Sequence, residues 1–508
     1  MFSEILSLGL SGLNAYIVKV EVDISNGLPG FDIVGLPDAS VKESKDRVRS
    51  ALKNCGYEFP LGRITVNLAP ADTKKEGPIY DLPILLAILI ATKQVNADLS
   101  DCAFVGELSL TGEIRPVNGI LSIVTAAKSA GIKKIYIPFS NIYEGSVVEN
   151  IKVFGIKNLT ELTLHLNKSE ELLPVYTSIS DIPLPESSFL DFSDVKGQFE
   201  AKRALEIAAS GGHNVLLIGP PGSGKSMLTK RLPSILPDMT FDESIETTKI
   251  HSISGNLPQN MPIVRIRPFR SPHHTVSPAA LAGGGSVPRP GDISLAHNGV
   301  LFLDELPEFN RNTLEALRQP IEDRQVTISR VSGILTYPCD FMLVCAMNPC
   351  PCGYFGHPTK KCICSKKSAD NYLSRISGPL LDRIDLHVEV PPVEYEELSS
   401  KNSAESSSEI KKRVTNARNI QIERFKKTSI ICNANMSSAE TLTNCILTKD
   451  ADDLLKQSFD LMGLSARAYT RILKVSRTIA DLDSSENISI EHISEALQYR
   501  SLDRKYWK

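Results

Sequence analysis

Val215-Leu216-Leu217-Ile218-Gly219-Pro220-Pro221-Gly222-Ser223-Gly224-Lys225-Ser226 joins a short, wholly apolar run to a glycine-rich turn that opens a helical stretch. Four consecutive apolar residues ending in a turn read as a strand buried on both faces, the kind that parallel sheets use. The turn has the spacing Gly-x4-Gly-Lys-Ser, and strand, loop and helix in that order are the context a phosphate-binding loop requires. Glycines let backbone N–H groups turn toward phosphate oxygens, and the helix N-terminus adds its positive dipole end. Lys225 can reach the β/γ-phosphates, and the Ser226 hydroxyl can hold Mg²⁺. Gly219, Pro220, Pro221, Gly222, Ser223, Gly224, Lys225 and Ser226 are therefore the candidate ATP contacts. A plain glycine-rich turn is the competing reading, and the joint presence of strand, loop and helix weighs against it.

Working outward, the run Val300-Leu301-Phe302-Leu303 ends in two adjacent carboxylates, Asp304 and Glu305. Alone, an acidic pair after a strand is usually a solvated strand end. Beside a phosphate loop it supplies the missing half of a hydrolytic site, with Asp304 organising Mg²⁺ and Glu305 orienting or deprotonating water. A third apolar run, Phe341 to Ala346, ends in Met347-Asn348. The Asn348 amide could hold the attacking water against the γ-phosphate, or could simply form a turn before Pro349.

The chain has 508 residues, enough for about three domains, and its 42% apolar and 23% charged composition is that of an ordinary globular protein. The longest apolar run, Leu82 to Ala91, is far shorter than the roughly 20 residues a membrane helix needs. No membrane partner is expected. Met1-Phe2-Ser3-Glu4 lacks the positive start of a secretory signal, so the expected location is cytoplasmic. A net charge of −3 gives no global case for nucleic acid, which leaves local basic surfaces as the only electrostatic route to it.

A proline- and serine-bearing stretch at 173–191 and a serine-rich one at 393–408 read as linkers. They divide the chain into 1–172, with strand-like Ile64–Leu68 and Lys134–Pro138 and a helix over 81–92; 192–392, alternating strands and helices; and 409–508, with helical periodicity. The expected fold class is α/β multidomain: an α/β N-terminal domain, a parallel-sheet central domain and a helical C-terminal domain.

Loop, acidic strand and polar strand end follow one another as in AAA+ modules, and 192–392 resembles that superfamily. Longer strings are similar to the ComM/YifB family of magnesium-chelatase-like AAA+ proteins. They are Val34-Gly35-Leu36-Pro37-Asp38 with Val41-Lys42-Glu43-Ser44, Phe269-Arg270-Ser271-Pro272-His273-His274-Thr275, and Ser377-Gly378-Pro379-Leu380-Leu381-Asp382-Arg383-Ile384-Asp385-Leu386. This resemblance implies that Arg383 is an arginine finger donated to a neighbouring subunit, so that the protein works as a homo-oligomer, a hexamer in the family. An intramolecular pair with Asp382 or Asp385 is the alternative. Arg467, after Ser465, resembles the second sensor arginine, although a surface arginine at a helix start would look the same.

The resemblance further implies a DNA motor that drives branch migration during natural transformation. A magnesium-chelatase motor subunit and a protein-remodelling chaperone are the competing functions. In ring motors of this branch, the insert from about Gly255 to Gly299 faces the pore, which makes Arg270, His273 and His274 candidate DNA contacts. Arg330, in the hairpin-like run Arg324 to Tyr337, is another. A solvated loop and a plain sheet edge are the respective alternatives.

Thr111-Gly112-Glu113-Ile114-Arg115-Pro116-Val117 and Ala130-Gly131-Ile132-Lys133-Lys134 resemble the Lon-type protease fold. Ile79 and Leu121 stand where Lon carries its serine and lysine, and neither side chain can do nucleophilic chemistry. A binding or assembly platform is expected there instead of a protease.

Ten cysteines are present, and four crowd together as Cys350-Pro351-Cys352 and Cys362-Ile363-Cys364. Two close pairs can offer four thiolates to a tetrahedral ion, with Zn²⁺ the usual occupant, although C-x-C is tighter than the common C-x2-C. Free thiols or redox pairs are the alternative.

Overall fold

The computed structural model describes residues 1–178, 190–258, 261–285, 288–330, 333–357, 359–393, 404–428 and 430–507, without the side chains of 330, 333, 503 and 504. The chain forms two compact units, Met1–Pro185 with Phe241–Val264, and Glu186–Thr240 with Arg265–Lys508.

In the first unit, Phe2–Ser11 and Asn14–Ser25 pair antiparallel from Phe2↔Asp23 to Ser11↔Asn14. Val18, Val20, Val22 and Ile24 point to one side and are buried, as the two-residue period of a strand requires. The sheet runs Gly30–Val34, Arg63–Ala69, Asn14–Ser25, Phe2–Ser11, Cys102–Phe104, Lys134–Pro138, Lys152–Ile156. The expected strands at 64–68 and 134–138 and the helix at 81–92 lie at 63–69, 134–138 and 81–91. That helix is buried around almost its whole circumference, so it needs no polar face. Its first residue, Asp81, is buried too; burial pushes its carboxyl pKa up, against Arg47 and Ser44, which bond it at 2.6 and 2.5 Å. Ile79 and Leu121 are both buried, and the Leu121 N–H donates to Glu144.

Residues 241–264, which the sequence places inside the ATPase segment, fold with this first unit. Helix Phe241–Ile253 is fastened near its end: the Ser252 hydroxyl donates to Glu144 at 2.5 Å and accepts the Gly119 N–H at 2.8 Å. Val147 and Ile263 are buried together, with Ile245 packed on them.

The second unit holds a parallel sheet in the order Phe269–Arg270, Val300–Leu303, Met342–Met347, Val215–Ile218, Leu386–Glu389. The three expected strands are its centre, and each is buried along its length. The two edge strands have no counterpart in the sequence reading. The helical region contains Ser407–Arg424, Ser438–Asn444, Lys449–Met462, Ala466–Leu482 and Ile490–Gln498. Its core is continuous with the sheet's: Val414, Ile472 and Ile479 belong to the same buried cluster as Val215 and Val344. The first of these helices begins within the expected linker 393–408, where Ser406 and Glu409 form a capping box. Among the described residues no helix is long and apolar enough to cross a membrane.

Candidate active site

In a parallel sheet all strands leave at the same end, and there the loops after Ile218, Leu303 and Met347 meet. They enclose a cavity of about 410 Å³ lined by Pro221 to Met227, Asp304, Glu305, Met347 and Asn348. Gly222 and Gly224 stand at φ 80° and 92°. A Cβ at either would meet nothing within 4 Å, so glycine is needed there for backbone conformation and not for space. Gly224 leads directly into the helix Lys225–Arg231.

The Lys225 ammonium donates to the carbonyls of Gly219 and Pro220 at 2.7 and 2.9 Å and to Asn348 Oδ1 at 3.3 Å. Burial lowers its pKa to about 8, against the opposing pull of Asp304 and Glu305. The cation is short of negative charge, which a polyphosphate would supply. The Ser226 hydroxyl donates to Asp304 Oδ2 at 2.5 Å. Two hard oxygens converging on one point suit Mg²⁺, which takes one or two protein oxygens alongside phosphate. Asp304 also accepts the Glu305 N–H at 3.0 Å.

Glu305 itself has left-handed backbone, φ 54° and ψ 47°, unusual for a residue with a side chain. Its carboxylate is 59% exposed and lies 3.6 Å from His274 Nδ1. Sequence reasoning placed His274 in a pore insert; the structure brings it to the acidic strand end. Arg270, from the same string, lies in the edge strand beside Val300–Leu303, and its Nε and Nη2 both donate to Asp292. The His273 ring lies against that of His274, tilted by 36° with centroids 4.0 Å apart. The Arg330 side chain lies outside the described residues.

Arg383 is 7% exposed, bound to Glu322 at 2.6 Å and to the Pro379 carbonyl at 2.5 Å. Its partner is thus neither Asp382 nor Asp385. Asp385 is held far below the usual carboxylate range: burial works against this, but His213, Arg471 and the Asn214 N–H outweigh it. Arg467 is exposed in the first turn of Ala466–Leu482, capped by Ser465 as the sequence suggests.

The four clustered cysteines come together with all their sulfurs within 4.8 Å of one another. The separations are 3.4 Å for Cys350–Cys352, 3.7 Å for Cys350–Cys362 and 3.6 Å for Cys352–Cys362. These are far beyond disulfide length and close to the about 3.8 Å between sulfurs on a tetrahedral Zn²⁺. The cysteine cluster rests on the glycine-rich loop, since a Cβ on Gly353 would sit 2.4 Å from Pro221 Cδ.

The family model described as magnesium chelatase, subunit ChlI, matches residues 191–398. Models for subunit ChlI of Mg-chelatase and for its C-terminal part match 20–141 and 404–500. The chain is 45% identical over 498 residues to competence protein ComM of Haemophilus influenzae, covering 97% of this chain and 96% of that one. It is 46% identical over 496 residues to YifB of Escherichia coli, again covering 97% and 96%. Residues of the N-terminal unit carry a more distant likeness to Lon protease 2 of Syntrophobacter fumaroxidans, 33% over 129 residues, 25% of this chain and 14% of that one. With a nucleotide-type parallel sheet, a Lon-like N-terminal region, a helical C-terminal region and near full-length identity of this order, the chain belongs to the ComM/YifB family of magnesium-chelatase-like AAA+ proteins.

Proposed function

We propose that this protein is an ATP-hydrolysing ring motor that moves DNA, acting as a branch-migration helicase when incoming strands are integrated. The observation that carries the hydrolytic part is the convergence of Lys225, Ser226, Asp304, Glu305 and Asn348 on one cavity. Lys225 would grip the β/γ-phosphates, Glu305 would take the proton of the attacking water, and Asn348 would orient that water. When bound, Mg²⁺ at Ser226 and Asp304 supplies charge neutralisation of the transferring phosphoryl group.

Arg383 would act across a subunit boundary, which requires the guanidinium to leave Glu322 and the Pro379 carbonyl on assembly. Arg467, exposed on its helix, would sense the phosphates from the helical region. His273 and a local basic surface would track the DNA backbone, and the tetracysteine knuckle would hold a structural Zn²⁺. The DNA assignment rests on likeness to a relative named for competence.

Steady-state ATPase with and without single-stranded, duplex and branched DNA tests this reading. DNA-stimulated turnover that disappears in Lys225→Ala is expected. Failure of the assembled protein with ATP and Mg²⁺ to move a joint molecule would refute the helicase, and failure to split ATP would refute the whole reading.

A further inference from the structure

We propose that the residues around the cysteine cluster form a binding surface for single-stranded DNA, with Lys360, Lys361, Lys366 and Lys367 meeting phosphates and Phe355 stacking on an unpaired base. The inference rests on the reading of the protein as a DNA motor given above, and it names the part of the chain that holds the strand.

Charge is concentrated here. Residues 349–375 carry five basic side chains, the four lysines and Arg375, against one acid, Asp370, in a chain whose net charge is −3. A metal held by four thiolates would offset part of that charge and leave the segment positive. All four lysines are exposed, and among the described residues none of them has an ion pair. Lys366 and Lys367 lie in the first turn of helix Lys366–Leu373, where no acid accompanies them and the positive end of the helix dipole opposes cations. The helix gains nothing from two ammonium groups at that point. Lys367 also lines a polar cavity of about 500 Å³ with Ser365, Ser368, Asn371 and Arg375. Arg375 is paired there with Glu308 at 3.0 Å, so that among the described residues Lys367 is the cation the cavity leaves open to an anion.

Lysines alone would suit any polyanion, and the apolar side chains among them narrow the choice. Ile363, between Cys362 and Cys364, is 87% exposed, and Phe355 is 46% exposed. The Phe355 ring meets that of Tyr506 at 62° with centroids 6.2 Å apart, which braces it without stacking. The lysine-bearing turn is likewise preformed: the Lys360 N–H donates to His357 Nδ1 at 3.0 Å, and its ammonium stands 4.9 Å from the centroid of the Tyr354 ring.

An exposed aromatic ring set among cations fits a single strand better than a duplex. Unpaired bases present open π-faces that stack on aromatic side chains while lysines follow the backbone, whereas in a duplex those faces are covered by neighbouring base pairs. The surface also adjoins the candidate nucleotide site, because Gly353, two residues before Phe355, lies against Pro221 of the glycine-rich loop. A strand held here is close to the loop whose occupancy changes during turnover.

Fluorescence anisotropy of the full-length protein with a labelled oligothymidylate, and with a duplex of equal length, over a salt series tests the proposal. Lys360→Ala, Lys361→Ala, Lys366→Ala and Lys367→Ala combined should make the dependence of log affinity on log salt shallower by about 0.7 for each lysine removed, with single-strand binding weakened on the order of 100-fold at low salt. The four corresponding arginine substitutions should keep the wild-type slope. Phe355→Ala should weaken single-strand binding about 10-fold at an unchanged slope and leave duplex binding as it was, and Phe355→Trp should restore the loss. Oligomer size, metal content and DNA-free ATPase should match the wild type in every variant, which shows them to be folded; Phe355→Ala alone decides if the fourfold alanine variant does not assemble. A fourfold variant with the wild-type slope, or Phe355→Ala binding the single strand as tightly as wild type, would overturn the inference. Equal losses on single strand and duplex in Phe355→Ala would do the same. Wild-type protein that binds neither DNA would instead refute the reading on which the inference rests.

Discussion

Lys225 is a cation waiting for charge. Because burial lowers its pKa to about 8, an anionic polyphosphate beside it should raise that pKa again. Binding above about pH 8 then takes up a proton, and the sign follows: affinity for Mg·ATP should fall as pH rises through 8. Calorimetric titrations in two buffers of different ionisation heat would reveal the uptake, and a pH-independent affinity between 7 and about 9.5 would refute it. Glu305→Gln should leave ATP binding intact while lowering turnover by about 100-fold or more, measured by single-turnover hydrolysis. That the glycine-rich loop and the acidic pair follow buried strands was readable from sequence because the pattern is local: glycine, lysine, serine and carboxylates within a few positions of a continuous apolar run. The His274 contact was not readable, because it arises where two strands distant in sequence happen to end side by side. The same holds for Arg383, whose partner Glu322 lies on a different segment.

At the scale of elements, the knuckle and the fastened helix carry the stronger expectations. Burial works against it, but backbone donors from Tyr354 and Ile363 lower the Cys352 pKa, whereas those of Cys362 and Cys364 are raised, so that one thiolate is favoured and a bound metal would draw the others out. The purified protein should contain about one Zn²⁺ per chain, and Cys362→Ser should abolish it. Since Gly353 lies against Pro221, the same substitution should weaken nucleotide binding as well, read by analogue fluorescence alongside metal content. Retained affinity after metal loss would separate the knuckle from the loop. In helix Phe241–Ile253, Ser252→Ala strands the Gly119 N–H and leaves Glu144 with one donor fewer, a cost of about 1–3 kcal/mol in denaturant unfolding of the first unit. Central strands were legible as continuous apolar runs. The edge strands were not: Phe269–Arg270 is only two residues long, and Leu386-His387-Val388-Glu389 alternates apolar and polar types although His387 is buried.

For the whole molecule, the division of the chain departs from a simple order of domains. Composition shifts marked 173–191 and 393–408 as joints, yet helix Ser407–Arg424 begins inside the second and shares its core with the sheet. Nothing in the residues of 241–264 announces that they fold with the N-terminal unit, because their partners, Glu144, Gly119 and Val147, are more than a hundred positions away. A fragment ending at 185 lacks that segment and should be less stable than the same fragment supplied with residues 241–264 as a peptide, as a thermal melt of each would register. Equal melting temperatures would show the segment to be dispensable.

The excursion through 241–264 makes the polypeptide cross from one unit to the other three times. A chimera joined at one seam would therefore carry a foreign patch in its Lon-like half, however well its motor half was chosen. Exchanging modules among relatives calls for two grafts at once, and the helix must travel with the N-terminal unit that receives it, not with the glycine-rich loop it follows in the gene.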